Sequence, residues 1–182
     1  MLHCGPTAEH VEYQVMGSQF EFFLDHPFRF FRGTLGSLTG SLLLNPANLR
    51  SGMTFKVSVP LKGMGAEHPA AQALLTTVQQ NDKNGLAFEF TSQVIDMRPD
   101  VLKATGTFSL RAIGELRYGE RVRPLHVPLD CTVEGGYWKC QTSFFLIPSD
   151  YGFPSPELLT IKARNKITVK GEITFGPKKE EL

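Results

Sequence analysis

Ser18-Gln19-Phe20-Glu21-Phe22-Phe23-Leu24-Asp25-His26 is the stretch whose reading decides the fold. Phe20, Phe22, Leu24 and His26 fall on one side of an extended chain, and Gln19, Glu21 and Asp25 on the other. Phe23 is the exception. Alternation at period 2 is the pattern of a half-buried β-strand. Its inner row carries two large aromatics and ends on a histidine. The row is expected to line the inside of a β-barrel, and the inside to be a binding cavity.

Working outward, the same pattern recurs. Tyr13 and Val15 start a short strand that Gly17 is expected to break, and Pro27 ends the opening stretch. Leu42 to Leu44 form a strand turned by Asn45-Pro46. Met53, Phe55, Val57 and Val59 alternate with Thr54, Lys56 and Ser58, and Pro60 closes the run. Phe88 and Phe90 begin a strand that continues to Ile95, with a turn expected at Pro99-Asp100. Phe108 and Leu110 alternate with Thr107, Ser109 and Arg111. Residues 114–123 are polar and read as a connection. Leu125, Val127, Leu129, Cys131 and Val133 share a face, which Trp138, Cys140 and Phe144 join from the next strand. Ile167, Val169, Ile173 and Phe175 make the last strand. About eight strands with short turns favour antiparallel neighbours. Eight can close around side chains or around one small ligand.

Residues 69–81 are the one good helix candidate. Pro69 suits the first turn, and Ala71, Leu74, Leu75 and Val78 make an apolar stripe. Asn84-Gly85 stops it. With 182 residues, the chain reads as a single barrel domain, 1–182, with frayed ends at 1–10 and 177–182.

Composition excludes whole classes of function. A formal net charge of +1 and the absence of a basic run give no electrostatic case for nucleic acid. No stretch of 18 apolar residues is present to span a membrane as a helix. The start, Met1-Leu2-His3-Cys4-Gly5-Pro6, lacks the basic and apolar regions of a signal peptide. That start allows either a cytoplasmic protein or an exported one whose signal has been removed.

Three cysteines sharpen the choice. Gly135-Gly136 is a two-residue hairpin turn signal. Centring the turn there sets residue 131 opposite 140 as a non-hydrogen-bonded pair, with Cα atoms about 4.5 Å apart. That spacing permits a disulfide, which implies an oxidising compartment. The other reading is two reduced, buried, small hydrophobes. Cys4 is left as a terminal thiol.

Catalytic and metal motifs are weak. Gly63-Met64-Gly65-Ala66-Glu67-His68 imitates a dinucleotide turn, but His68 stands where the third glycine belongs and no parallel strand-helix unit follows. There is no GxSxG, HExxH or CxxC, and the five histidines are scattered without ligand spacing. His126 and Asp130 point away from Cys131 on their strand, against a nucleophilic cysteine. Asp150 and Tyr151 could form a polar mouth, although a turn-stabilising Asp is the commoner role. His26 has two readings. A lone histidine on an apolar face is more often a hydrogen-bonded core residue; otherwise it is a polar contact at the end of an apolar tunnel.

Taken together, several segments resemble the YceI-like family of polyisoprenoid-binding, lipocalin-like barrels. Ser18-x-Phe20-x-Phe22-x-Leu24-x-His26, led by Tyr13, resembles its opening strand. Gly33-x-Leu35-x-x-Leu38-x-Gly40, Phe88-x-Phe90-x-Ser92, Thr105-Gly106-x-Phe108-Ser109-Leu110-Arg111 and Ser149-Asp150-Tyr151-Gly152 resemble later segments in the same order. The likeness runs from about residue 13 to 175. The chain departs from the pattern at several points. Only His68 is left of a usual polar segment after the fourth strand. Pro148 replaces an arginine, Ala112 replaces a glycine, and 114–123 resembles an insertion.

The resemblance implies an antiparallel barrel with a helix capping one end, no enzymatic activity, and export to the periplasm or beyond. The expected ligand is a polyisoprenoid, an isoprenoid quinone or another amphiphilic lipid, sequestered or transported with no required cofactor. The expected wall is Phe20, Phe22, Leu24, Phe55, Val57, Phe88, Phe90, Phe108 and Leu110, with His26 as a polar end contact. A homodimer is left open. The rival readings are a barrel enzyme using His26 with Asp150 or Tyr151, and an interaction module with a packed core and no ligand.

Overall fold

The computed structural model describes residues 9–97, 103–154, 157–158 and 161–179. Cys4, most of the frayed N-terminal segment, the turn at Pro99-Asp100 and the last three residues lie outside them.

In chain order the strands are β1 (Val11–His26), β2 (Arg29–Thr34), β3 (Thr39–Leu44), β4 (Met53–Pro60), β5 (Gly65–Ala66), β6 (Ala87–Met97), β7 (Gly106–Tyr118), β8 (Arg121–Glu134), β9 (Tyr137–Leu146), β10 (Glu157–Leu158), β11 (Ile161–Lys162) and β12 (Ile167–Pro177). One helix, α1, spans Pro69–Asn81 between β5 and β6. Eight strands close antiparallel in the order β12-β9-β8-β7-β6-β4-β3-β1, and β1 pairs back to β12. The all-β barrel and its helix are as the alternation predicts.

Two local expectations are corrected. Gly17 does not break β1. The strand runs on through a register shift between Val15 and Gly17, a bulge that adds a residue without ending the ladder. Residues 114–123 are no loose connection either. β7 and β8 pair from Gly106↔Val133 to Tyr118↔Arg121, with only Gly119-Glu120 at the turn. The charged residues that suggested a loop are the outer half of an alternating ladder: Leu116 and Leu125 are buried while Glu115, Arg117 and Arg123 are exposed.

β1 is long enough to serve two neighbours on one edge. Its first turn of ladder, Val11–Gln14, pairs with β3, and its last six residues, Glu21–His26, pair with β2. β2 then pairs with the short β5 rather than with β4. The wall therefore splays at that end, and α1 follows β5 directly.

The two ends of the barrel differ. At one end Trp138, Cys131, Cys140, Leu42 and Leu44 are fully buried. Phe108 meets Trp138 edge-on at 5.3 Å and Tyr13 lies 6.4 Å away. Cys131 and Cys140 are register partners, with Cα atoms 4.1 Å apart, and are joined in a disulfide. This end is packed. The other end is hollow.

Candidate functional site

The hollow end holds a cavity of about 260 Å³. Phe20, Phe22 and Leu24 of β1 face it, as do Val57 of β4, Phe88 and Phe90 of β6, and Val169 of β12. Each is the inward member of an alternating pair, so the period-2 pattern itself puts them there. Phe55 reaches the same space from the border with the packed end, where it meets Phe175 edge-on at 5.7 Å.

α1 roofs the space. Ala71, Leu74, Leu75 and Val78, the stripe read from the sequence, line the cavity. None of the helix is fully buried, so packing alone holds it weakly. Polar contacts fasten it at both ends. The Gln72 Oε1 accepts from the Ala66 amide at 2.7 Å, and the Gln79 Nε2 donates to the carbonyls of Leu61 and Met64, each at 2.9 Å. His68 caps the N-terminus, its Nδ1 accepting from the Ala70 amide at 3.2 Å. The turn after β9 supplies the rest of the rim through Pro148, Tyr151 and Phe153. Asn165 holds that turn, bonding both the amide and the hydroxyl of Ser149.

Among the described residues no Asp, Glu, Lys, Arg or His lines the cavity. The hydroxyl-bearing residues among them are Thr142 and Tyr151, and the Thr142 hydroxyl is committed to the Pro128 carbonyl at 2.6 Å. The Tyr151 phenol is nearly buried, and burial, followed by the charge of Asp150, pushes its pKa above the ordinary value of 10.0, with Arg123 acting against them. Such a site can solvate a hydrocarbon. Its described residues offer one uncommitted neutral side-chain hydroxyl, that of Tyr151, and no charge to neutralise an ion.

The expected wall residues separate by position. Phe20, Phe22, Leu24, Phe55, Val57, Phe88 and Phe90 all line the cavity. Phe108 and Leu110 do not. They point inward too, but on the stretch of β7 that belongs to the packed end, where Trp138 fills the barrel. His26 also lies off the cavity. It is 3% exposed, its Nε2 lies 2.9 Å from the Ile161 carbonyl and its Nδ1 accepts from the Phe28 amide at 3.3 Å. The ring packs on Phe31 at 5.4 Å. This is the hydrogen-bonded core histidine, pinning the end of β1 to β11. Of His26, Asp150 and Tyr151, only Tyr151 reaches the cavity, so no shared site brings the three together. The barrel is also not filled throughout, as a wholly packed module requires. Among the described residues no cluster of His, Cys, Asp or Glu could hold a metal ion, and no helix is long and apolar enough to cross a membrane.

Two contributors escape a sequence reading. Gln72 and Gln79 of α1 have no signature beyond lying two turns apart on one helix edge. The glycines Gly33 and Gly171 stand opposite Phe22 and Phe20 in the ladders. Glycine inside a strand allows close approach, but does not say what approaches.

No family model matches the sequence, and no curated protein sequence does. Solved structures do. A polyisoprenoid-binding domain from Saccharophagus degradans, implicated in plant cell wall breakdown, superposes with a TM-score of 0.68 over 92% of this chain and 99% of its own, at 10% identity. BcnA of Burkholderia cenocepacia gives 0.67 over 86% and 95%, also at 10% identity. The YceI protein of Campylobacter jejuni gives 0.59 over 81% and 85%, at 14% identity. The fold is theirs.

Proposed function

We propose that this chain is a divergent YceI-like protein that binds one long apolar molecule at the hollow end of its barrel, as a carrier or sequestering protein and not as an enzyme. The observation that carries the reading is an interior space with no charged side chain among the described residues that line it. Burying apolar surface yields about 25 cal/mol per Å², so a chain hiding about 300 Å² gains roughly 7 kcal/mol before association entropy is subtracted. No polar recognition is needed for that. The polyisoprenoid-binding domain that shares the fold supports an isoprenoid or isoprenoid quinone as the ligand.

At about 260 Å³ the cavity falls just below the usual range of ligand sites, about 300 to 1,000 Å³. It suits one slender chain. A longer isoprenoid has to leave its remainder outside or displace α1. A neutral head group fits the Tyr151 phenol better than a carboxylate or phosphate, which would find no cation in the wall. The disulfide between Cys131 and Cys140 supports residence in an oxidising compartment, periplasmic or extracellular.

Mass spectrometry of organic extracts from protein purified without detergent tests the reading. The expected result is a stoichiometric apolar chain, reduced or absent in the Val57→Trp variant, whose indole would project into the cavity. Protein that carries no lipid and takes up none from a polyprenol or quinone suspension overturns it.

A further inference from the structure

The wall of the cavity has an outer side, and it is unusual. Inward residues of β1, β12 and β9 line the hollow end, and their outward neighbours lie directly behind. Phe23 of β1 pairs with Thr168 of β12, which pairs with Phe145 of β9, and Arg32 of β2 pairs with Phe23 on the other side. Two residues along, Phe30 of β2 faces out beside Asp25. Phe30 and Phe145 are 66% and 60% exposed, and Ile147 follows at 40%. Two lysines sit among these rings. The Lys166 amine lies 5.0 Å from the Phe145 centroid and the Lys170 amine 5.8 Å from that of Phe23. The charges of Arg32 and Arg164 are met by Glu21 and Asp25. Among the described residues Lys166 and Lys170 form no ion pair. The face is thus apolar and aromatic and carries two lysines outside any ion pair, Lys170 standing opposite a Glu21 already engaged by Arg32.

We propose that this face, the outside of β2, β1, β12 and β9 at the hollow end, docks on an anionic lipid bilayer. Aromatic rings with lysines lying over them are suited to the headgroup region, where the ring sits at the acyl boundary and the ammonium extends to the phosphates. Lysines near such a surface each add attraction to anionic lipid. A second copy of the chain fits the face less well. A twofold contact sets the same patch against itself, so Lys166 and Lys170 meet their own charge. Docking here lays the cavity wall against the membrane, with α1 and the splayed edge beside it. The inference goes beyond the lipid-carrying reading and does not require it, because the surface residues are not the cavity residues.

The test is co-sedimentation with vesicles of phosphatidylcholine alone and of phosphatidylcholine mixed with phosphatidylglycerol. The expected result is binding to the mixed vesicles, weakened by salt. Lys166→Gln with Lys170→Gln should lower the partition coefficient about tenfold or more, and Phe30→Ser with Phe145→Ser should lower it again. All four positions are exposed or on the outer face, so the fold tolerates them. No binding to mixed vesicles, equal binding to both kinds, or binding that the four substitutions leave unchanged overturns the proposal. So does a concentration-dependent dimer abolished by Phe145→Ser, which assigns the face to a second copy. Val57→Trp is expected to leave vesicle binding intact, which separates failure of this proposal from failure of the cavity reading.

Discussion

Phe20 and Gly171 are direct partners across β1 and β12, and the phenyl ring occupies the space that a Cβ on residue 171 would take, 2.5 Å from its Cγ. Gly33 stands to Phe22 in the same way on the other side of β1, where a Cβ would lie 2.1 Å from the ring. The two aromatics of the inner row lie over glycine. That keeps their rings against the wall and leaves the centre of the barrel empty.

Gly171→Val is therefore expected to destabilise the protein. The new side chain meets the Gln19 carbonyl at 2.4 Å as well as the Phe20 ring, and backbone cannot give way as a side chain can. Overpacking of this kind costs about 1–3 kcal/mol. Urea unfolding of Gly171→Val against Gly17→Ala measures it. Nothing lies within 4 Å of a Cβ at Gly17, so that control should hold the wild-type midpoint. Equal midpoints for the two variants contradict the packing argument.

The period-2 pattern carried the fold because every barrel strand has a wet side and a dry side. It carried the cavity only in part. Phe108 reads identically to Phe90, and nothing local says that Trp138 fills one end of the barrel and leaves the other hollow. That difference is made by side-chain volumes summed across eight strands far apart in sequence. The turn at Gly119-Glu120 was hidden for a different reason. Charges on the solvent side of a long hairpin look like a loop when its apolar members, Leu116 and Leu125, are nine residues apart across the turn.

His26 is expected to matter for stability and not for ligand choice. Removing the ring in His26→Ala leaves the Ile161 carbonyl and the Phe28 amide without their partner. The cost of such a loss is about 1–3 kcal/mol. The unfolding midpoint should fall accordingly, while the affinity for a fluorescent polyprenol analogue, measured well below that midpoint, stays within error. A large loss of affinity at unchanged stability would return His26 to the site.

The disulfide ties two strands already joined by a tight turn, so its contribution is modest. Cys131 and Cys140 are nine residues apart, and closing a loop of that size in the unfolded chain is worth roughly 2.5 kcal/mol. The double variant Cys131→Ala, Cys140→Ala should unfold earlier by that amount and retain the cavity, since the pair lies at the packed end. Loss of ligand uptake in a folded double variant contradicts this division of the barrel.

Alkaline pH should probe the rim. Burial first, then Asp150, hold the Tyr151 proton more tightly in the folded chain than in the unfolded one. Tyr118 is raised for the same first reason, with Asp82 second. A raised folded pKa gives stability that is complete below the unfolded value, near pH 10, and is lost as pH rises through the folded one. Stability should fall on the alkaline side, and Tyr151→Phe should make that fall shallower without abolishing it, because Tyr118 remains. An unchanged alkaline slope in Tyr151→Phe refutes the assignment.

Ligand exchange should depend on α1 more than on the barrel. The helix has thirteen residues and no fully buried one, so its free energy of opening is low compared with that of the strands. Gln79 makes two of the bonds that hold its C-terminal half, to Leu61 and Met64, the segment that leads into β5. Gln79→Ala removes both while leaving the apolar stripe that touches the cavity intact. The Leu61 carbonyl still accepts from the Met64 amide, so global stability should fall by no more than about 1 kcal/mol. Opening of the helix should become more frequent by a comparable free energy, about fivefold in rate. Hydrogen exchange of amides 73–81 should accelerate, and dissociation of a bound polyprenol analogue should accelerate with it, in equal proportion. If the amides exchange faster and the ligand leaves no sooner, the chain exits by another route and α1 is a wall, not a lid.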